Sequence, residues 1–383
     1  MPNVKVFKGI NNVSEPLRLG MDWLVTANNV NITDTGAIEK RAGYTTVRAG
    51  SFSGAYTTLD SQRMYLIDGN NITTFDGAAI AVLESTAPMF WAEINNQVFF
   101  NNGTDSGVIL PDNTILDWSW SVPAAPNVSP VTGSLPNGIY QVRCAFVLAD
   151  GRETGVGEAA EIAVTGEQGI AISNIPQFPG AMTNVYMAPA NSDVYQLAAT
   201  TTGSAFVWNF SNDALGVDLR TSFVDPLPQG SSAIQFFKGR AYAAQYMPEA
   251  DQTVVWYSEP LAFHLFNLNS DFFLVPGHVL MMAPTDTALV IGTEARVFSY
   301  TDNKLDWLAN YGVIPGQHWA KDDERILFWT TRGVCSALPF TNLTEKSVSV
   351  APGIKAGGTI VRQGGQKRYL AVLQQGGSAF NSY

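Results

Sequence analysis

Three histidines, His264, His278 and His318, are the whole stock of imidazole in this chain. None stands three to five residues from another ligand in the spacing a zinc site needs, so each reads as a packed or surface side chain. The densest acidic run is Asp322-Asp323-Glu324, flanked by Lys321 and Arg325. A glycosidase needs two carboxyls held across a sugar bond, roughly 5 to 9.5 Å apart. Three consecutive acids between two bases describe instead a solvated loop ahead of the apolar strand 326–329. Asp302 and Asp306 lack the regular oxygen spacing of a calcium loop. There is no Gly-x-Ser-x-Gly elbow, no phosphate-cradling Gly-x-x-x-x-Gly-Lys-Ser/Thr loop and no Gly-x-Gly-x-x-Gly after a strand. Gly364-Gly365 and Gly376-Gly377 read as turns. Arg240 and Glu259 read as a charge pair or as exposed strand-edge residues. The sequence therefore assigns no catalytic residue, no cofactor-binding residue, no metal ligand and no enzymatic activity.

The elements around these residues are short strands. Residues 62–67 turn at Asp68-Gly69-Asn70-Asn71 into 72–75, and residues 97–100 turn at Asn101-Asn102-Gly103 into 107–110; both carry hairpin turn chemistry. Apolar strands return at 241–244, 288–291, 326–329 and 369–372. One central residue from each, 65, 98, 242, 289, 327 and 369, gives intervals of 33, 144, 47, 38 and 42. All but the second lie near the 40 to 50 residues of a four-stranded propeller blade. Removing one module of about 100 residues, the size of a single sandwich domain, brings the second into line. Asp112-Asn113-Thr114-Ile115-Leu116-Asp117-Trp118 also echoes Asp302-Asn303-Lys304-Leu305-Asp306-Trp307.

That module is bounded by Pro123, Pro126 and Pro130 on one side and by Pro226 and Pro228 on the other. Its alternating stretches at 138–147, 159–164, 169–172, 185–188 and 195–197, with a turn at Asp150-Gly151, amount to five or six of the seven strands of a sandwich. The Pro-x-x-Pro entry, the Gly-x-Tyr strand and the Asp-Gly-x-Glu turn resemble a fibronectin III or immunoglobulin-like domain. The expected fold is thus all-β: a β-propeller of about six blades, with a fibronectin III/immunoglobulin-like β-sandwich inserted. Residues 1–120 hold an N-terminal hairpin and the first blades, 121–229 the insert, and 230–383 the remaining blades and a closing strand that pairs with the opening one.

The most specific stretch is 7–44. Strands at 27–32 and 37–41 flank the turn Thr33-Asp34-Thr35-Gly36. The order Gly-Ile-Asn, Pro-Leu-Arg, Ala-x-Asn-Val-x-Ile and Gly-x-Ile-x-Lys-Arg-x-Gly-Tyr resembles the start of the tail nozzle (tail tubular) proteins of short-tailed bacteriophages. So does the later Gly239-Arg240 strand, followed by an aromatic strand ending in Ser258-Glu259. The resemblance implies a virion structural protein of the phage tail, assembled as a homo-hexameric ring on a tail adaptor or connector ring. Genomic DNA would pass through without sequence-specific binding, and tail fibres are a further implied partner. The chain is short for such a protein, with room for few of the long loops that build a fibre platform. Two rival readings use the same fold: a tail hub or tip connector ring of a longer-tailed phage, and a propeller that binds host glycans.

Composition agrees with a β-rich assembly protein. The chain has 383 residues, 46% hydrophobic but only 14% charged, ample for a buried core and well below the usual quarter for charge. A net charge of −11 opposes tight nucleic-acid binding, which draws its affinity from Lys and Arg. No apolar leader and no run of 18 apolar residues occurs, so neither secretion nor a membrane span is expected, and synthesis falls to the host cytoplasm. In that reducing compartment Cys144 and Cys335 are expected as buried free thiols.

Overall fold

Short apolar strands dominate the computed structural model, which describes residues 4, 6–33, 35–41, 43, 45–322, 325–363 and 366–376. The chain is all-β. Three single-turn 3-10 helices complete the regular structure among the described residues, and no helix there is long and apolar enough to cross a membrane. Asp34, Asp323, Glu324, Gly364, Gly365 and Gly377, singled out above, lie outside the described residues.

Five small antiparallel sheets follow one another along the chain. The first holds Phe52–Thr57, Met64–Asp68, Asn71–Thr74 and Ala79–Val82; the second Phe90–Ile94, Gln97–Asn101, Ser106–Ile109 and Ile115–Leu116. The third begins at Ala233–Phe237 and Arg240–Met247, and both Ala262–Phe266 and Phe272–Pro276 pair with its strand Gln252–Glu259. The fourth is Val279–Pro284 to Lys304–Ala309, and the fifth Ala320–Asp322 to Thr341–Asn342. Strands pair in simple sequential order in the first, second, fourth and fifth sheets, and the third departs from it only where Gln252–Glu259 pairs with both of the strands that follow. In the third sheet Lys238 and Gly239 have φ of 46° and 73°, the left-handed pair a two-residue hairpin loop requires.

Adjacent sheets share cores, and this explains the unbroken apolar runs. In Gln97–Asn101, Val98 and Phe100 pack with Tyr65, Ile67 and Ile72 of the first sheet. Phe99, pointing the other way, packs with Ile234, Phe236 and Ala243 of the third. In the third sheet Ala241 and Ala243 serve one core while Tyr242 and Ala244 join Leu289 and Ile291 in the next. Val290 turns to the fifth sheet with Ile326 and Phe328. A strand covered on both faces has no polar side, so its sequence reads as continuous hydrophobic residues instead of an alternation.

Between the second and third sheets the chain builds two sheets of its own, seven strands in all. One orders Asn127–Thr132, Gln168–Ser173 and Ala205–Trp208; the other orders Ala160–Val164, Gly138–Leu148, Ala181–Ala188 and Gln196–Thr201. Val128, Ile170, Ile172 and Trp208 from the first meet Tyr140, Val142, Val185 and Met187 from the second in a single core. Asn127–Thr132 went unread in the sequence because Pro130 marked a boundary there. It is an edge strand, where a missing backbone donor is tolerated.

The two ends of the chain differ from this. Near the start, Gly9–Ile10 pairs in parallel with Trp23–Leu24, and the expected hairpin is present as Val30–Ile32 with Ile38–Lys40. At the other end Lys355–Gln363 pairs with Gln366–Gln374 over nine positions. This terminal hairpin leans on the fifth sheet through Trp329, Ala356, Ala371 and Leu373. The expected pairing of the last strand with the opening one is not made: among the described residues Gln366–Gln374 pairs only with its hairpin partner. Asn12 instead binds the loop ahead of the hairpin, donating from its backbone to the Ser347 carbonyl at 3.0 Å and exchanging bonds with Ser349 at 2.9 and 2.7 Å.

Candidate functional site

The most elaborate polar cluster lies where the two sheets of residues 127–208 meet the second and third sheets. The turn after Gly138–Leu148 carries Asp150 and Arg152, and Arg152 grips Asp150 at 2.7 Å while its guanidinium lies 4.5 Å above the buried Trp120 ring. His264, on the third sheet, packs edge-on to Trp120. Its Nε2 lies 3.1 Å from the Glu153 carbonyl. A carbonyl can only accept, so this nitrogen bears the proton. Burial pushes the His264 pKa down, partly offset by that bond, and the ring is neutral at pH 7. Burial alone would raise the Asp150 pKa, but the hydrogen bonds and charge of Arg152 outweigh it and leave the carboxyl below its usual range.

Backbone contacts fix the same seam. Trp118 Nε1 donates to the Phe263 carbonyl at 2.8 Å, Leu227 N to Ser119 Oγ at 3.0 Å, and Asp225 and Phe266 exchange two backbone bonds. A Cβ on Gly155 would strike the Val224 carbonyl, so that approach admits glycine alone. Glu153 is itself held by Tyr186 at 2.7 Å and Asn184 at 2.9 Å. Asp150, Arg152 and Glu153 each have a partner inside the cluster, whereas burial alone pushes the Asp225 carboxyl pKa up. The arrangement can hold two bodies in fixed relation. The Asp-Gly-x-Glu turn was visible in the sequence, but its partners Trp120 and His264 are far from it along the chain and carry no local signal.

The other candidates are scattered. His318 is fully buried; its Nδ1 accepts from Trp329 N at 3.1 Å, and burial pushes its pKa down to about 4, against smaller opposing effects of backbone groups. His278 stacks on Tyr246 at 4.4 Å and lies 3.4 Å from Glu294. Asp322 is no exposed acid: its carboxylate binds Lys367 at 2.9 Å and Arg325 at 3.5 Å. Asp302 pairs with Lys238 and Asp306 with Lys304, so the two face different partners. Among the described residues no three His, Cys, Asp or Glu side chains converge in a metal-binding group.

Arg240 does not pair with Glu259. Its guanidinium binds Asp271 at 3.2 Å and the Ser258 carbonyl at 2.8 Å, and it lies over the Tyr257 ring. The residue just ahead of the Phe272–Pro276 strand, which pairs with Gln252–Glu259, supplies the carboxylate instead. Cys144 and Cys335 are buried free thiols as expected, and burial pushes Cys144 up to about 12. Eight of the nine tryptophans are buried or half-buried; Trp307 is exposed.

No family model matches the sequence, and no curated protein matches it. Solved structures give distant likenesses. PorZ of Porphyromonas gingivalis, a bacterial surface component of the type-IX secretion system, is 12% identical with a TM-score of 0.25, over 88% of this chain and 52% of that one. The extracellular domain of the putative one component system BT4673 from B. thetaiotaomicron is 12% identical, TM-score 0.31, over 84% of this chain and 37% of that one. AztD from Citrobacter koseri is 10% identical, TM-score 0.30, over 85% and 90%. The chain thus spans about half or less of the first two. Likenesses at these TM-scores carry no argument about function.

Proposed function

We propose that this chain is a structural, non-catalytic subunit of a phage tail: one of six copies forming a nozzle ring around the channel through which the genome leaves. The five sheets and the terminal hairpin are then the blades of a β-propeller. The seven strands between the second and third sheets are its fibronectin III/immunoglobulin-like insert, and the seam at Trp120 and His264 locks insert to propeller.

The observation that carries the reading is the order of the shared cores. Each sheet packs on the next in chain order, across the insert as well, and the first strands Phe90–Ile94, Ala233–Phe237 and Val279–Pro284 lie side by side. Gln235 Nε2 reaches the Met282 carbonyl at 3.3 Å between two of them. Strands that start each sheet and cluster together are what a radial arrangement of blades requires. The spaced pattern in residues 7–44 adds the likeness to nozzle proteins.

In this reading the work is mechanical. A wall of net negative subunits with few basic residues lets DNA slide without counterion-releasing contacts. Screening at physiological salt confines any repulsion to about 8 Å from the wall. The adaptor or connector ring binds one end and host contact opens the other. Native mass measurement of the purified chain, followed by imaging of the virion, tests this: a hexamer on the tail axis supports it, and a monomer or an off-axis position defeats it.

A further inference from the structure

The terminal hairpin is an unfinished sheet. The other five units each hold at least four strands, and this one has two. Gln366–Gln374 leaves one whole edge without a strand beside it among the described residues. Its faces alternate: Ala371 and Leu373 turn inward against the fifth sheet, while Leu370 and Val372 turn outward, Val372 being 67% exposed. Across the hairpin Leu370 faces Thr359 and Val372 faces Gly357, so little covers them. A long apolar edge of this kind is a template for another strand.

The N-terminal arm is the converse, a pair of strands without a sheet. Among the described residues Val30–Ile32 and Ile38–Lys40 pair with each other and with no other strand. Among the described residues from 4 to 50 only Asn11 and Gly36 are buried. Leu17 at 91%, Met21 at 64% and Val47 at 78% stand in the open. The arm is nonetheless held in place by the three Asn12 bonds to Ser347 and Ser349. Fixed there, it does not pair with the terminal hairpin of its own chain.

We propose that the arm hairpin of one copy completes the terminal hairpin of a neighbouring copy, adding its two strands at the open edge to make a fourth-strand-complete sheet. Two strands plus two gives the four strands of the first, second, fourth and fifth sheets, and the contact sets the exposed Ile38 of the arm hairpin beside the edge that carries Leu370 and Val372. The inference rests on the ring reading, and it names the surface that joins one subunit to the next.

The test mixes two full-length chains of different tag length, one Glu39→Cys and the other Val372→Cys. They are treated with a bis-maleimide spanning about 10 Å, two strand spacings. Cys144 and Cys335 are 1% and 0% exposed and leave the unsubstituted chain as a clean control. A mixed-size cross-linked dimer is expected within assembled rings. Rings that give no mixed dimer overturn the inference and leave the ring reading standing. A chain carrying both cysteines that links only to itself also overturns it, in favour of closure within one subunit. A chain that stays monomeric and unlinked overturns both.

Discussion

The third and fourth sheets and the two chain ends are made of similar residues used in opposite ways. Every residue of Ala233–Phe237 and of Leu289–Thr293 is buried, and the apolar side chains alternate between shared cores on the two faces. The arm buries almost nothing, and the terminal hairpin covers one face of two. At roughly 25 cal/mol per Å² of apolar area removed from water, stability concentrates in the middle of the stack. The ends keep apolar area in reserve. Under the ring proposal that area is what a neighbouring copy covers.

The sharpest way to break this contrast is to empty the middle. Phe266 is fully buried between the second and third sheets, so Phe266→Ala is expected to cost about 3–5 kcal/mol in urea unfolding. Leu17→Ala in the arm should stay within about 0.5 kcal/mol. Equal losses would mean that the two regions do not divide the labour as described.

Acid should act on the same side of the contrast. His318 has a folded pKa of about 4, below its unfolded value near 6.5. Folding therefore favours the neutral ring, and its contribution is complete above pH 6.5 and lost as pH falls toward 4. The loss from this residue is about 3 kcal/mol. His318→Leu should flatten the stability profile in that window while lowering stability at pH 7 by about 1–3 kcal/mol, because Trp329 N–H loses its acceptor. An unchanged slope would remove His318 from the account.

The seam and the charge pair come next. Gly155→Ala, pressed on the Val224 carbonyl, is expected to cost about 1–3 kcal/mol and to speed hydrogen exchange at Asp225 and Phe266. Asp271→Asn should cost about 1 kcal/mol and Glu259→Gln nothing measurable; the reverse order would reinstate Glu259 as the partner of Arg240. The smallest effect on the subunit is expected at the ends. Val372→Lys should leave unfolding within about 0.5 kcal/mol yet weaken ring assembly at least tenfold by analytical ultracentrifugation.

Much of the stack was legible because of how it is packed. Tyr65, Val98, Tyr242, Leu289 and Leu327 each fall on the second strand of a successive sheet, the strand with cores on both sides and hence the longest apolar run. Tyr369 falls likewise on the second strand of the terminal hairpin. The echo of Asp112-Asn113 in Asp302-Asn303 marks the same turn, between third and fourth strands, in the second and fourth sheets. There Asn113 and Asn303 accept from Tyr65 and Tyr300. What sequence could not supply were two-residue strands such as Ile115–Leu116, too short to show a period, and partners distant in the chain. Arg152 over Trp120 and Asp271 beneath Arg240 depend on tertiary placement, which no local spacing encodes.

Electron cryo-microscopy of the phage particle that the proposal assigns to this chain tests the central claim most directly. Six copies should circle the tail axis, each with its sheets in radial order and its insert fixed at the Trp120 seam. Density that places the chain off the axis, or as a single copy with no ring, would contradict it.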